Sequence, residues 1–143
     1  MRTSVIIPTH NKAEYLNLVL ASLVSQTEAP DEIVIINDGS SDHTLDVIRN
    51  YIDRLPIRVR SQACGGRAAA RNAGLEEATG DLIILCDDDR IVAPNFVEQH
   101  RAALQRDPSV ICIGWKKRAL TIWRNALPLI PTDYERLSVS AGF

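Results

Sequence analysis

Unbroken apolar runs alternate along this chain with stretches whose apolar residues recur every three or four positions. The runs cover residues 4–7, 32–36, 57–60, 81–86 and 110–113, are rich in β-branched residues, and predict strands buried on both faces. After the first run, Leu16, Val19, Leu20 and Leu23 fall at i, i+3, i+4 and i+7, which predicts a helix with one apolar stripe against a sheet. Asn11 followed by Glu14 suits a capping box at its start. A second helix is expected over 42–51, with Leu45, Ile48 and Ile52 as its stripe and Ser40 or Ser41 as cap. A third, over 68–78, is Ala-rich and thin, suited to close packing on a sheet or a ligand. A fourth begins at Pro94, a residue favoured in the first helical turn, and carries Phe96, Val97, Ala103 and Leu104. Past Ile113 the pattern weakens into a short helical period at Leu120, Ile122, Trp123 and Leu127, broken by Pro128 and Pro131.

Strand and helix alternate throughout, which predicts a three-layer α/β/α fold: a mainly parallel sheet, right-handed crossovers and helices on both faces. Such sheets bind ligands at the carboxyl ends of their strands. The polar clusters of this chain fall there: Pro8-Thr9-His10-Asn11 after strand one, Asn37-Asp38-Gly39-Ser40 after strand two and Asp87-Asp88-Asp89 after strand four. Pro8 cannot donate to a ladder, so strand one is expected to stop at it.

Composition narrows the classes. With 143 residues, 45% hydrophobic and 24% charged, the chain fits one globular domain. A net charge of -2 argues against a nucleic-acid footprint. Cys64, Cys86 and Cys112 are odd in number and lack CxxC spacing, so they read as reduced, mostly buried thiols, and a cytoplasmic setting is expected. The run at 5–7 is too short for a signal-peptide core, and no run reaches a membrane-spanning length. Trp115-Lys116-Lys117-Arg118 reads as a solvated rim, with phosphate or lipid contact as the lesser reading. Neither GxGxxG after a strand nor GxxxxGK[ST] is present, and GxSxG and HExxH are missing too.

The candidate chemistry centres on carboxylates. Three adjacent anions at a buried strand end repel one another, and an oxygen-only set of this kind suits Mg2+ or Mn2+ with substrate phosphates completing the shell. The plain alternative is a solvated acidic turn capping the helix at Pro94. Asp38 beside Gly39 suits acceptance of a hydrogen bond from a base or ribose, or else an Asx-turn or helix cap. His10 stacks on a base or sits on the surface. Arg67 and Arg71 share a helix face and either meet a diphosphate or the acidic triplet, or pair with Glu76 and Glu77.

Taken together and in order, Ser4 to Asn11, Gln26-Thr27, Glu32 to Ser40, Ala70-Arg71-Asn72-Ala73-Gly74 and Asp87-Asp88-Asp89 with Pro94 resemble the amino-terminal half of glycosyltransferase family 2, inverting enzymes of the GT-A fold. The resemblance covers about the first 100 residues. It implies that Pro8, Thr9 and His10 line the nucleobase and ribose pocket and that Asp38 contacts the base. It further implies that Asp87 and Asp89 form an Asp-x-Asp metal motif, with Asp88 near the ribose and Arg71 beside the pyrophosphate. The implied cofactor is Mn2+ or Mg2+; the implied donor is a nucleotide-diphosphate sugar, a UDP-sugar first. The acceptor, a saccharide or other hydroxyl, is not named by the sequence.

Two departures stand out: Asn37 where the family often has Asp, and Cys64 where an Asn commonly precedes the paired glycines. The family's general base falls beyond the covered region, and the candidate acids Asp133 and Glu135 do not sit in its motif. The chain therefore divides into a nucleotide-sugar-binding core, 1–114, and an incomplete start of the acceptor-side region, 115–143. A non-catalytic binding or assembly module of the same fold is the competing reading, with homodimerisation and peripheral membrane association left open. A nucleotidyltransferase would want a Gly-rich loop after strand one, and a receiver domain paired acids there.

Overall fold

The computed structural model describes residues 1–109 and 111–114. The predicted helical pattern at 120–127, the acids Asp133 and Glu135 and the whole of the proposed segment 115–143 lie outside the described residues. Strands β1 (Thr3–Thr9), β2 (Glu32–Asp38), β3 (Ile57–Gln62) and β4 (Leu82–Leu85) alternate with helices α1 (Ala13–Val24), α2 (Thr44–Arg49), α3 (Arg67–Glu77) and α4 (Phe96–Arg106). The four strands form one parallel sheet in the order β3-β2-β1-β4. The three-layer α/β/α prediction holds.

Strand order explains which helix covers which face. The chain steps from β1 to β2 to β3 in one direction and then returns across the sheet to β4. Since crossovers keep one hand, this reversal sends α3 to the opposite face from α1 and α2. The core divides accordingly. On one face Val5, Ile7, Ile33, Ile35 and Ile84 meet Leu16, Val19, Leu20 and Leu23 of α1 and Val47, Ile48 and Tyr51 of the α2 region. On the other, Ile6, Val34 and Ile36 meet Ala70 and Ala73 of α3. The Ala-rich sequence of α3 permits that approach: a Cβ on Gly74 would stand 2.3 Å from Ile6 Cγ2.

Several local expectations are corrected. Strand β1 does not stop at Pro8; it runs to Thr9, with Pro8 opposite Ile36 of β2. Arg2 and Ile6 accept from Leu82 and Cys86 N–H, so by strand alternation Pro8 turns the place of its absent N–H toward β4, whose pairing ends at Ile6–Leu85. Strands β3 and β4 are not buried on both faces, and Val59 and Leu85 are exposed, because both lie at the sides of the described sheet. The predicted strand at 110–113 is not present over 111–114, where Ile111 and Ile113 are exposed; Val110 lies outside the described residues. Helix α2 turns Val47 and Ile48 inward and leaves Leu45 exposed, as is Ile52 beyond its end.

Capping is also non-local. Asn11 does not cap α1; its side-chain oxygen accepts from Ser41 N–H at 2.7 Å, while Glu14 pairs with His43. Asp42 serves two helices instead. One carboxylate oxygen accepts from Ala13 N–H at 3.1 Å and the other from Thr44 N–H at 3.1 Å, so neither Ser40 nor Ser41 caps α2 by its side chain. Gln26-Thr27 holds the start of α4, with Thr27 N–H donating to Pro94 at 2.8 Å and Gln26 Oε1 accepting from Val97 N–H at 3.1 Å. The acidic triplet is thus not the cap of α4. Of the thiols, Cys86 is buried, whereas Cys64 and Cys112 are exposed, against expectation for Cys112.

Candidate functional site

The reversal in strand order opens a switch point between β1 and β4, where connecting loops diverge and ligands of open α/β sheets settle. The loops after β1, β2 and β4 meet at this edge. The β1 loop lies between the other two and is tied to both. His10 Nδ1 lies 2.7 Å from the Asp38 carbonyl oxygen, and Asn11 N–H donates to Ser40 Oγ at 3.0 Å. On the other side, Lys12 Nζ donates to Asp89 at 2.7 Å and lies 3.5 Å from Asp88. The tight turn between these ties puts Asn11 at φ 51°, a left-handed conformation that Asn tolerates better than most residues.

Asp38 ends β2 with its carboxylate buried and fully engaged. One oxygen accepts from Gln62 Nε2 and Gly65 N–H, each at 2.8 Å, and the other from Gly66 N–H at 2.8 Å. Burial opposes ionisation, but the Gly65 N–H, the Gln62 amide and the Gly66 N–H outweigh it and hold the carboxyl below the usual carboxylate range. Asp38 is therefore neither an Asx-turn nor a helix cap; it fixes the loop leading into α3. Gly39 at φ +72° follows, and a Cβ there would stand 2.9 Å from Cys64 N, so glycine lets the two loops touch.

The acidic triplet is spread over three cations. Asp87 accepts from Arg71 at 2.6 Å; Asp88 and Asp89 face Lys12; Arg90 lies 3.7 Å from Asp87 and 3.6 Å from Asp89. The hydrogen bond from Lys12 holds Asp89 below its ordinary pKa, and the same bond raises Lys12 against a modest opposing effect of burial. Arg71 thus takes the triplet, as one reading expected, while Glu76 and Glu77 pair with Arg58 and Arg60. Arg67 is exposed.

The remaining expected residues gather at the same edge. Pro8 is half-buried and His10 exposed. Thr9 is buried, and its Oγ1, with Arg71 Nε, is a buried side-chain polar atom lacking a hydrogen-bond partner among the described residues. Both such atoms belong to residues singled out for the site, and orphaned buried donors are uncommon enough to point to a missing partner. Neighbouring Cys86 takes no part: burial, reinforced by Asp87 and Asp88, pushes its thiol up to about 12.

Among the described residues no three His, Cys, Asp or Glu side chains form a ready metal cage. The donor set still fits a hard divalent cation: it is oxygen-only, and the side chains of Asp87 and Asp89 are 32% and 38% exposed. Mg2+ in particular is held by one or two carboxylates plus substrate phosphates. Sequence reasoning did not find Lys12, Gln62, Asp42 or Arg90. Lys12 carried a usable signal, a cation one residue beyond the first polar cluster; its pairing with the triplet needed the adjacency of β1 and β4.

A parallel sheet with this strand order and flanking helices is that of a GT-A glycosyltransferase fold. Residues 4–138 match the model of glycosyl transferase family 2, and the chain belongs to that family. It is 39% identical over 98 residues to the uncharacterized glycosyltransferase YibD of Escherichia coli, covering 68% of this chain and 28% of that protein. It is 41% identical over 104 residues to a validoxylamine A glucosyltransferase of Streptomyces hygroscopicus, covering 70% and 23%. Among solved structures, Staphylococcus aureus TarS in complex with UDP-GlcNAc is 30% identical with a TM-score of 0.69, over 74% of this chain and 32% of that one. The Pyrobaculum calidifontis mannosyltransferase in complex with GDP-Man and Mn2+ is 27% identical with a TM-score of 0.68, over 76% and 33%. The chain spans about a quarter of the length of these curated relatives and a third of these solved chains.

Proposed function

We propose that this chain carries the donor-binding part of a metal-dependent glycosyltransferase acting on a nucleotide-diphosphate sugar. The observation that carries the reading is the convergence of three loops on one sheet edge, with the β1 loop bonded to Asp38 on one side and to Asp88 and Asp89 on the other. In this reading Pro8, Thr9 and His10 line the nucleoside pocket, and Asp38 holds both that wall and the Gly65-Gly66 turn. Asp88 lies toward the ribose. Arg71 meets the diphosphate, its unpartnered Nε adding a donor to the contact already made with Asp87.

Asp87 and Asp89 would hold a Mn2+ or Mg2+ ion, which when bound offsets the charge that develops on a departing nucleoside diphosphate. The chain's own share is to hold both carboxylates in place. Arg71 does so by pairing with Asp87 and Lys12 by pairing with Asp89. UDP is the first nucleotide to try. Support for the donor class comes from the complexes of the two solved relatives named above. The acceptor hydroxyl and the general base belong to the part of the reaction for which the described residues offer no group. Among them no helix is long and apolar enough to cross a membrane.

Differential thermal stability tests the proposal. The expected result is that UDP raises the melting temperature with Mn2+ present and that a chelator abolishes the gain. A gain that survives chelation counts against the metal, and none under any nucleotide counts against the donor site. A fold that kept binding without transfer would give the same shift, and donor hydrolysis by the chain separates it from an enzyme.

A further inference from the structure

Among the described residues Lys12 is the one lysine at the strand-end edge, and its surroundings set it apart from the arginines there. Its backbone is fixed on three sides: Asn11 before it is bonded to Ser40 and Ser41, Asp42 accepts from Ala13 N–H after it, and its own carbonyl accepts from Leu16 N–H at 2.9 Å. The side chain is not fixed in that way. It reaches across to a different loop and places one compact ammonium between two adjacent carboxylates, 2.7 Å from Asp89 and 3.5 Å from Asp88. Arg71 and Arg90 instead present planar forks: Arg71 lies against Asp87, and Arg90 lies between Asp87 and Asp89, at 3.7 and 3.6 Å.

A point charge shared by neighbouring carboxylates occupies the electrostatic position that a bound cation would take. The side chain is about a third exposed, and the flexible lysine stem leaves such a charge free to retract. The Tyr15 ring supplies a nearby resting place, its centroid 5.8 Å from Nζ, within cation–π range.

Resting on the metal reading above, we infer that Lys12 is an internal counter-cation of the Asp88-Asp89 pair. It offsets the charge of these carboxylates when no divalent ion is bound and competes with one that enters at Asp89. Lys12 is thereby a positioning residue: it keeps the acidic loop in its binding shape in the empty site and lowers affinity for free metal. Ion and ammonium on Asp89 would face each other at close range, so each weakens the hold of the other.

The test titrates MnCl2, without nucleotide, into the 143-residue chain and into Lys12→Met and Lys12→Arg, with free Mn2+ counted by electron paramagnetic resonance. Methionine keeps the length and apolar stem and removes the charge. Lys12→Met should bind Mn2+ roughly five- to tenfold more tightly, the scale of one lost partly exposed ion pair, and Lys12→Arg should stay near the parent. Without metal, Lys12→Met should melt below the parent and recover most of the difference on adding Mn2+. Equal or weaker Mn2+ binding by Lys12→Met overturns the inference and leaves the metal reading standing, provided that the parent binds Mn2+. No uptake by parent or variant, with UDP or without it, overturns both.

Discussion

The Arg71 guanidinium donates to the Asp87 carboxylate at 2.6 Å, joining the helix that covers one face of the sheet to the acidic loop at its edge. The pair links a packing element to the candidate site, so changing it should separate stability from binding. Arg71→Met is expected to cost about 1 kcal/mol of stability, the usual scale for a partly exposed ion pair. UDP affinity in the presence of Mn2+ should fall by about tenfold or more, because a donor to the diphosphate is lost. Urea denaturation and calorimetry measure the two effects separately.

Asp38 supports the nucleoside side through the Gly65-Gly66 turn. Asp38→Asn keeps the shape but sets an NH2 group against one of the donors now bonded to the carboxylate. A loss of about 1–3 kcal/mol is expected, the scale of a buried donor left unpaired, together with weaker nucleotide binding. Because the folded pKa is held below the ordinary value, this contribution is complete above the unfolded carboxylate pKa of about 3.9. It disappears as pH falls through the lower folded value. Stability curves of parent and variant should therefore converge at acid pH.

At the opposite edge of the sheet Glu32 is buried and accepts from Ser4 Oγ and Thr79 N–H, both at 2.5 Å, and from Arg58 at 3.3 Å. Burial works against its charge, but the bonds from Ser4, Thr79 and Arg58 prevail and bring its pKa from 4.5 to about 2. A depressed carboxylate stabilises the fold above its unfolded pKa and loses that contribution as pH falls toward the folded one. Stability should accordingly decline between about pH 4.5 and pH 2, and Glu32→Gln should flatten that part of the profile. Denaturation midpoints recorded across this window check the slope.

Gly74→Ala tests the close packing of α3. The added methyl meets Ile6 Cγ2 at 2.3 Å, and overpacking of this kind costs about 1–3 kcal/mol. Ile6→Ala in the same chain removes the atom in the way, so the double variant should be more stable than the sum of the single losses predicts. Strict additivity would mean that α3 shifts freely over the sheet.

Residues whose partners lie close in sequence were the legible ones. The stripe Leu16, Val19, Leu20 and Leu23 and the runs of β1 and β2 face a core on the expected sides, because burial there follows from period alone. In α2 the expected stripe held at Ile48 but not at Leu45 and Ile52, which are exposed, while Val47 is buried by where the helix lands rather than by its own pattern. Ile111 and Ile113 have the character of a strand without a described ladder to join. At the site, Asp38, Arg71 and the triplet could be found as unusual polar residues at strand ends. What Asp38 holds, and that Lys12 faces Asp89, depend on contacts 24–28 and 77 residues apart. No local pattern encodes such distances; strand order does.

Isothermal titration of UDP into the chain, with Mn2+ and then with chelator, and repeated on Asp89→Ala, tests the central claim most directly. The account predicts saturable one-to-one binding that requires the metal and is lost or weakened at least tenfold in the variant. Binding of equal strength with chelator present, or unchanged by loss of Asp89, would contradict it.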